Sequence, residues 1–434
     1  MPVSAPSVPA SNLARYNRFL LFVAGLGGLL YGIDVGIIGG ALPYLQATSR
    51  LTPGELSIVV AAVLLGSVFS TLFAGLIADW LGRKPLMLLS GIAFTLSVPV
   101  IALSHGYTPL LLGRLLQGVS GGLVGVVVPL YLAECLSAKE RGRGTALFQW
   151  MLTLGIFAAS LIGVYYSYHV DAIAKTGSID AVLAAKNSAW RQIFWMSMPP
   201  GLLFVIGSFF VSESPRWLFR RGQKDRAQAA LLRSRTPEQA ALELGEMDQI
   251  AAEAVSKTGG STDSLLQRRY VLPFLLACVI LACNTATGIN SVIGFNTNIL
   301  LEGGLSDVFA HWGYVVFTAF NFFMTIVGME LVDRKGRKFL FTVGTTGIII
   351  SMVAAGSLFV RSESHRVDVR DAIQPLVHGG ESLSFRFDYA SAQQLAAAGA
   401  PMQGAQSLAA QSLAIIYSYG PFAGSTTPVR LGDQ

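Results

Sequence analysis

The sequence predicts an all-α fold: a polytopic membrane protein whose two halves are related. Hydrophobic residues make up 52% of the chain and charged residues only 13%, whereas a soluble domain is about 25% charged. Apolar runs of about 20 residues, the length of a membrane-spanning helix, recur along the chain. The pattern D-x-x-G-R-K occurs at 79–84 and at 333–338, each time between two such runs, as expected when a helical bundle is duplicated.

Nine apolar runs are long enough to span a bilayer. Six of them precede a long polar segment and three follow it. We therefore expect a six-helix bundle at 1–211, a cytoplasmic helical linker at 212–269, three helices of a second bundle at 270–360, and a polar extracytoplasmic segment at 361–434 with a candidate start of a tenth span at 413–424. The predicted spans are 19–42, 57–78, 85–104, 108–133, 145–168, 190–211, 270–300, 309–332 and 339–360.

Basic residues are concentrated on alternate loops. One set of loops includes Arg83 and Lys84, the 212–269 segment, and 334–338, whereas the opposite loops between the spans, at 43–56, 105–107, 169–189 and 301–308, hold only Arg50, Lys175 and Lys186. Lys and Arg are enriched in cytoplasmic loops. The N-terminus is therefore predicted to be cytoplasmic. The chain contains no N-x-S/T acceptor, which is consistent with a bacterial inner (plasma) membrane.

Several other function classes are disfavoured. The net charge is +6, but the basic residues are spread over short loops rather than gathered in one nucleic-acid-binding module. The three cysteines lack metal-ligand spacing. We see no nucleophile–base constellation and no phosphate-binding loop. The sequence therefore predicts no enzyme, no cofactor, no metal and no nucleic-acid partner.

Several short motifs occur in order along residues 15–360. They are Gly32 to Gly40 (GIDVGIIGG), Asp79 to Lys84, Gly113-Arg114, Pro129 to Glu134 (PLYLAE) with Arg141-Gly142, Glu213 to Leu218 (ESPRWL), Gly288-Ile289-Asn290, and Asp333 to Lys338. Together they resemble the sugar porter family of the major facilitator superfamily. The resemblance implies two six-helix bundles, alternating access, and a central site for a monosaccharide or polyol, often with proton symport. It also implies three more spans after the ninth, so the second bundle is expected to be C-terminally truncated in this chain.

Asp34 and Arg114 are ionisable residues inside predicted spans, where charge is costly and is usually functional. Glycines recur at 28, 32, 36 and 40 and form a ridge that allows a neighbouring helix to approach closely. Asp34 is offset from this ridge and is expected to face a cavity or Arg114. We assign this pair to proton coupling, since proton-coupled members of the family are similar at both positions. The alternative is a purely structural buried ion pair.

Polar side chains on cavity faces are expected to bind the hydroxyl groups of the substrate. The resemblance places Gln149 and Asn321 at sugar-contacting positions, and the seventh span is rich in amides. Gly288 and Gly294 should break the seventh helix. Here the chain departs from the family, since Asn284-Thr285 replaces a Gln-Gln pair and Gly294 replaces a tyrosine and is expected to open space. The candidate substrate-binding residues are Gln149, Asn284, Thr285, Asn290 and Asn321.

Opposite charges recur at the cytoplasmic helix ends. We predict that they form gating ion pairs between the two bundles, with topology-setting charge as the alternative. These candidate gating residues are Asp79, Arg83, Lys84, Glu134, Arg141, Glu213, Arg216, Asp333, Arg337 and Lys338. Two functions remain open: a secondary transporter of a sugar or polyol in the lipid bilayer, and a non-transporting membrane sensor or inactive remnant that keeps the fold.

Overall fold

The computed structural model describes residues 10–49, 51–257, 267–364 and 369–378, and short stretches at 382–383, 388, 391–392, 394–395, 412–413, 415–419, 422–425 and 429–430. The chain divides into two compact units. The first comprises Met1–Asn298 and Asp307–Met329, and the second comprises Ile299–Ser306 and Glu330–Gln434.

Fifteen α-helices are present in the described residues. They are α1 Ala10–Thr48, α2 Pro53–Leu81, α3 Arg83–Ala102, α4 Tyr107–Cys135, α5 Ala138–Ala174, α6 Ile179–Trp195, α7 Met198–Phe210, α8 Pro215–Arg220, α9 Lys224–Leu232, α10 Pro237–Lys257, α11 Arg268–Ala286, α12 Ile289–Glu302, α13 Asp307–Lys335, α14 Arg337–Ser364 and α15 Arg370–Ile373. Within the described part of the chain, nine helical segments are long and apolar enough to cross a membrane. The prediction of nine spans is confirmed.

Two spans contain a break. The sixth divides into α6 and α7 next to Pro199 and Pro200, which lie in the first turn of α7, where proline is tolerated. The seventh divides into α11 and α12 at Gly288, whose φ of +79° lies in the left-handed region. The break at Gly288 is one of the two that the sequence predicts, whereas the prediction of a break at Gly294 is wrong, because α12 continues through that residue.

The connection between the fifth and sixth spans is shorter than predicted. The loop expected at 169–189 is mostly helical, because α5 continues to Ala174 and α6 begins at Ile179. Ser178 caps α6 by accepting a hydrogen bond from the Ala181 N–H at 3.4 Å. The Ala-rich segment that follows has a high helix propensity, and this explains why a stretch without strong hydrophobicity is helical.

The glycine ridge of α1 packs against α5. A Cβ on Gly28 would lie 2.3 Å from the Phe148 carbonyl oxygen, and one on Gly32 would lie 1.9 Å from the Leu152 carbonyl oxygen. On α5, a Cβ on Gly155 would lie 2.3 Å from the Leu29 carbonyl oxygen. The two backbones therefore touch at positions that only glycine can occupy, as the spacing of the glycines predicts.

The helical linker is present as α8, α9 and α10. The short apolar run at 413–424 contains strands instead of the predicted start of a tenth helix. Strand β4 (Ile416–Tyr419) pairs antiparallel with β5 (Phe422–Ser425), with Tyr419 opposite Phe422. A run of this length is shorter than the roughly 20 residues of a spanning helix, and its tyrosines and phenylalanine favour strands. The remaining strands are β1 Val377–His378, β2 Ser382–Leu383, β3 Ser412–Leu413 and β6 Val429–Arg430.

Candidate functional site

Asp34 lies on the face of α1 that packs against α4. The residue is 1% exposed, and its Oδ2 is 2.7 Å from the point that a Cβ on Gly121 would occupy. Glycine at position 121 therefore leaves room for the carboxyl group between the two helices. Asp34 faces away from the α1–α5 contact, as its offset from the glycine ridge predicts.

Arg114 on α4 is also 1% exposed and is close enough to Asp34 for an electrostatic interaction. No ion pair within 4.0 Å joins these two described side chains. Instead, Arg114 Nη1 donates a hydrogen bond of 2.6 Å to Gln117 Oε1, and the guanidinium carbon lies 5.6 Å from the centroid of the Phe194 ring. The two predicted coupling residues are therefore neighbours, but the arginine is held by Gln117.

Both carboxyl oxygens of Asp34 are buried without a hydrogen-bond partner among the described residues. Burying a carboxylate anion without a partner costs several kcal/mol, whereas a neutral acid is buried at much lower cost. This geometry therefore suits the protonated acid better than the anion.

A second polar cluster lies at the end of the bundle that the charge pattern predicts to be extracytoplasmic. We call it the outer seam; it consists of Gly40 and Tyr44 on α1 and of Asp307 and His311 on α13. The Tyr44 hydroxyl donates a hydrogen bond of 2.7 Å to Asp307 Oδ2. The Tyr44 ring stacks on His311 with centroids 5.4 Å apart and an interplanar angle of 14°. His311 is 0% exposed.

The ring of His311 faces oxygen atoms on both sides. Its Nδ1 lies 2.8 Å from the Asp307 carbonyl oxygen and 3.4 Å from Asp307 Oδ1. Its Nε2 lies 3.2 Å from the Gly40 carbonyl oxygen. The histidine therefore connects α13 to the backbone of α1 at a point where the glycine exposes that backbone.

Further contacts continue from the seam toward the middle of α1 and α13. The Tyr314 hydroxyl donates a hydrogen bond of 2.9 Å to the Gly36 carbonyl oxygen. The hydroxyls of Ser160 and Thr318 are 2.7 Å apart. Within the first unit, α13 is therefore fastened to both α1 and α5. Together with the outer seam, these contacts hold α1, α5 and α13 against one another.

The five candidate substrate-binding residues are mostly accessible. Gln149, Asn284, Thr285 and Asn290 are exposed, and Asn321 is half-buried. The Thr285 hydroxyl donates to the Leu281 carbonyl oxygen at 3.0 Å, which leaves its lone pairs free to accept. No hydrogen bond joins any two of these five side chains in the described part of the chain. Their shared role stays a prediction.

Gly294 lies buried in α12. A Cβ there would lie 3.9 Å from Ile38 on α1 and 3.9 Å from Val60 on α2, so a methyl group fits at this position. That Gly294 opens space for the substrate stays a prediction.

The charges of the first D-x-x-G-R-K loop form a network within the first six spans. Arg83 is 2% exposed; it lies 2.9 Å from Asp79 and 2.8 Å from Glu134. Ser214 donates a hydrogen bond of 2.5 Å to Glu134. Glu213 accepts hydrogen bonds from the backbone N–H groups of Arg83 at 3.0 Å and Lys84 at 3.2 Å, so it caps α3. Burial raises the pKa of Glu213 above its ordinary value.

The structure gives fewer contacts for the other candidate gating residues. Arg216, Arg337 and Lys338 are exposed, and the side chains of Arg141 and Asp333 lie outside the described residues. In the second unit, Arg334 pairs with Glu330 at 2.6 Å. A gating role for these charges between the bundles stays a prediction, whereas the ion pairs around Arg83 stabilise the first six spans.

Sequence reasoning missed Gln117 and the outer seam. Gln117 lies three residues after Arg114, and this spacing places both on one helix face, so it could have been found. Asp307 and His311 are also one turn apart, and a charged residue at the start of a span was a usable signal. Their partner on α1 could not be inferred, because it lies 263 residues away from Asp307.

The comparisons with known proteins agree with this fold. The sequence profile of the family described as "Sugar (and other) transporter" matches residues 20–373. The "Probable metabolite transport protein CsbC" of Bacillus subtilis is 31% identical over 79% of this chain and 69% of its own length. The "Glucose transporter GlcP" of Staphylococcus epidermidis is 31% identical over 78% of this chain and 71% of its own length.

Among solved structures, the fold is similar to that of the xylose transporter XylE from E. coli in a partially occluded inward open conformation. The TM-score is 0.64 at 21% identity, covering 80% of each chain. At this identity the likeness concerns the fold alone. The profile match and the CsbC relative establish that this chain belongs to the "Sugar (and other) transporter" family. It is a multi-pass membrane protein.

Proposed function

We propose that the protein is a secondary active transporter that moves a monosaccharide or polyol across the plasma membrane by alternating access, in symport with protons. The main support is that Asp34 is buried between α1 and α4 without a hydrogen-bond partner among the described residues, close to the charged side chain of Arg114. A relative 29% identical over 80% of this chain is named galactose-proton symporter, from Escherichia coli, which supports the same assignment.

Asp34 is the proton site in this proposal. When its carboxyl group is protonated, it no longer attracts Arg114, and the guanidinium binds Gln117 at 2.6 Å instead. When the proton leaves, the carboxylate anion recruits Arg114, since an unpaired buried charge is costly. Gln117 is thus an alternative partner that keeps the arginine satisfied in the protonated state. The exchange of partners couples proton binding to the contact between α1 and α4.

Alternating access is supported by the outer seam. With the N-terminus in the cytoplasm, as the loop charges favour, the contacts of Tyr44, Tyr314 and Thr318 close the extracytoplasmic end of the first unit. Opening to the outside requires these contacts to break. We place the substrate at Gln149, Asn284, Thr285, Asn290 and Asn321, whose amide and hydroxyl groups can both donate to and accept from a hydroxyl-rich solute.

The proposal is tested by reconstituting the purified protein into liposomes with an internal pH dye. A panel of labelled monosaccharides and polyols is supplied with and without an inward proton gradient. We expect at least one solute to accumulate above its external concentration only with the gradient, and to carry protons inward when added alone. A solute that binds but does not cross the membrane would instead establish a sensor that keeps the transporter fold.

A further inference from the structure

We propose that His311 is a second proton-binding site of this transporter, and that the outer end closes with a proton bound there. The inference rests on the proposed alternating-access function, but it involves a different residue at a different depth from Asp34. In the closed outer seam, both ring nitrogens of His311 carry a hydrogen atom.

The hydrogen-bonding capacity of the His311 ring depends on its protonation state. A neutral imidazole has one N–H donor and one acceptor nitrogen, whereas the imidazolium has two donors. His311 Nδ1 is 2.8 Å from the Asp307 carbonyl oxygen, and Nε2 is 3.2 Å from the Gly40 carbonyl oxygen. Carbonyl oxygens only accept. In either neutral tautomer, one ring nitrogen would direct its lone pair at a carbonyl oxygen, and only the imidazolium satisfies both contacts.

The surrounding charges favour the cation. The Asp307 carboxylate lies 3.4 Å from Nδ1, and the Tyr44 ring lies against the face of the imidazole, a suitable position for a cation–π contact. From α5, Gly163 packs against the ring through its backbone. Asp171 on α5 interacts electrostatically with Tyr44 and pairs with Lys175 at 2.7 Å. None of these contacts places a described Lys or Arg side chain against the imidazole ring.

The consequence is a linkage between proton binding and conformation. When α1 and α13 separate, His311 loses its contacts with the Gly40 oxygen and the stacked Tyr44 ring. Fewer contacts then stabilise the doubly protonated ring. Closing therefore takes up a proton and opening releases one. Low external pH should favour the closed outer end, and the closed-to-open ratio can change by up to about tenfold per pH unit, the limit for one proton.

The test measures the distance between the outer ends of α1 and α13. Spin labels are attached to cysteines at the exposed positions Ala47 and Phe309, with the exposed Cys278 and Cys283 replaced by serine. Distance distributions are recorded for the protein in nanodiscs between about pH 5 and 8, the range in which histidine titrates. We expect the closed fraction to fall as pH rises, and to become independent of pH when His311→Gln is combined with Asp34→Asn, which removes the other proposed proton site.

Two further variants keep the result decisive. Asp307→Asn keeps the imidazole but removes the carboxylate, so the pH dependence should remain and move to lower pH. Asp34→Asn should change coupled transport but keep the part of the pH dependence of the outer distance that His311 provides, which separates this proposal from the proposed function. An unchanged pH dependence in His311→Gln, an unmoved profile in Asp307→Asn, or a wild-type distance independent of pH would overturn the assignment.

Discussion

Replacing Arg83 should destabilise the first six spans far more than replacing its exposed partner Asp79. The Arg83 side chain is 2% exposed, and that of Glu134 is 7% exposed, whereas that of Asp79 is 65% exposed. In Arg83→Ala, the buried Glu134 carboxylate keeps only the Ser214 hydroxyl. Removing one partner of a buried ion pair costs about 3–5 kcal/mol, whereas an exposed pair contributes about 0–1 kcal/mol.

The assay is the free energy of unfolding in mixed detergent micelles, obtained by titrating a denaturing detergent. Arg83→Ala should shift the unfolding equilibrium constant by at least about 100-fold, and Asp79→Ala by less than about 10-fold. The double variant Arg83→Met with Glu134→Leu removes both charges and should recover most of the loss, because an apolar pair leaves no buried charge. Equal losses in Arg83→Ala and Asp79→Ala would refute this reasoning.

Three further results are expected. Gly32→Ala should lose folded yield in size-exclusion profiles, since its Cβ would lie 1.9 Å from the Leu152 carbonyl oxygen, whereas Gly125→Ala, whose nearest neighbour is 3.7 Å away, should fold normally. Burial raises the pKa of Glu213, so the folded state holds this proton to higher pH than the unfolded chain does. Its contribution to stability should therefore fall as pH rises above the ordinary value of 4.5, and Glu213→Gln should flatten that pH dependence in thermal unfolding. Gln149→Ala should raise KM by about tenfold through the loss of one substrate hydrogen bond, with an unchanged unfolding midpoint because the side chain is exposed.

Much of the first unit could be predicted because its signals are local. The four-residue spacing of the glycines on α1 determines which face packs closely, and this in turn fixes the direction of Asp34. The turn at Gly82 has a φ of +105°, which explains the glycine in the D-x-x-G-R-K pattern. The break at Gly288 was likewise readable from residue type.

Other features depend on contacts between distant parts of the chain. The outer seam joins Tyr44 to Asp307 across 263 residues, and no single-sequence pattern shows that these two side chains meet. The preference of Arg114 for Gln117 over Asp34 depends on side-chain geometry rather than on residue type. The prediction that a tenth span begins at 413–424 is wrong at the described residues, since a short apolar run with aromatic residues also suits a β-hairpin.

The central claim is that Asp34 couples sugar or polyol transport to protons. The most direct measurement compares wild type and Asp34→Asn in liposomes preloaded with the transported solute, under an imposed inward proton gradient. The neutral amide mimics the protonated acid, so we expect the variant to keep equilibrium exchange of labelled solute while losing accumulation against a concentration gradient. Accumulation by Asp34→Asn at the wild-type level would contradict the account.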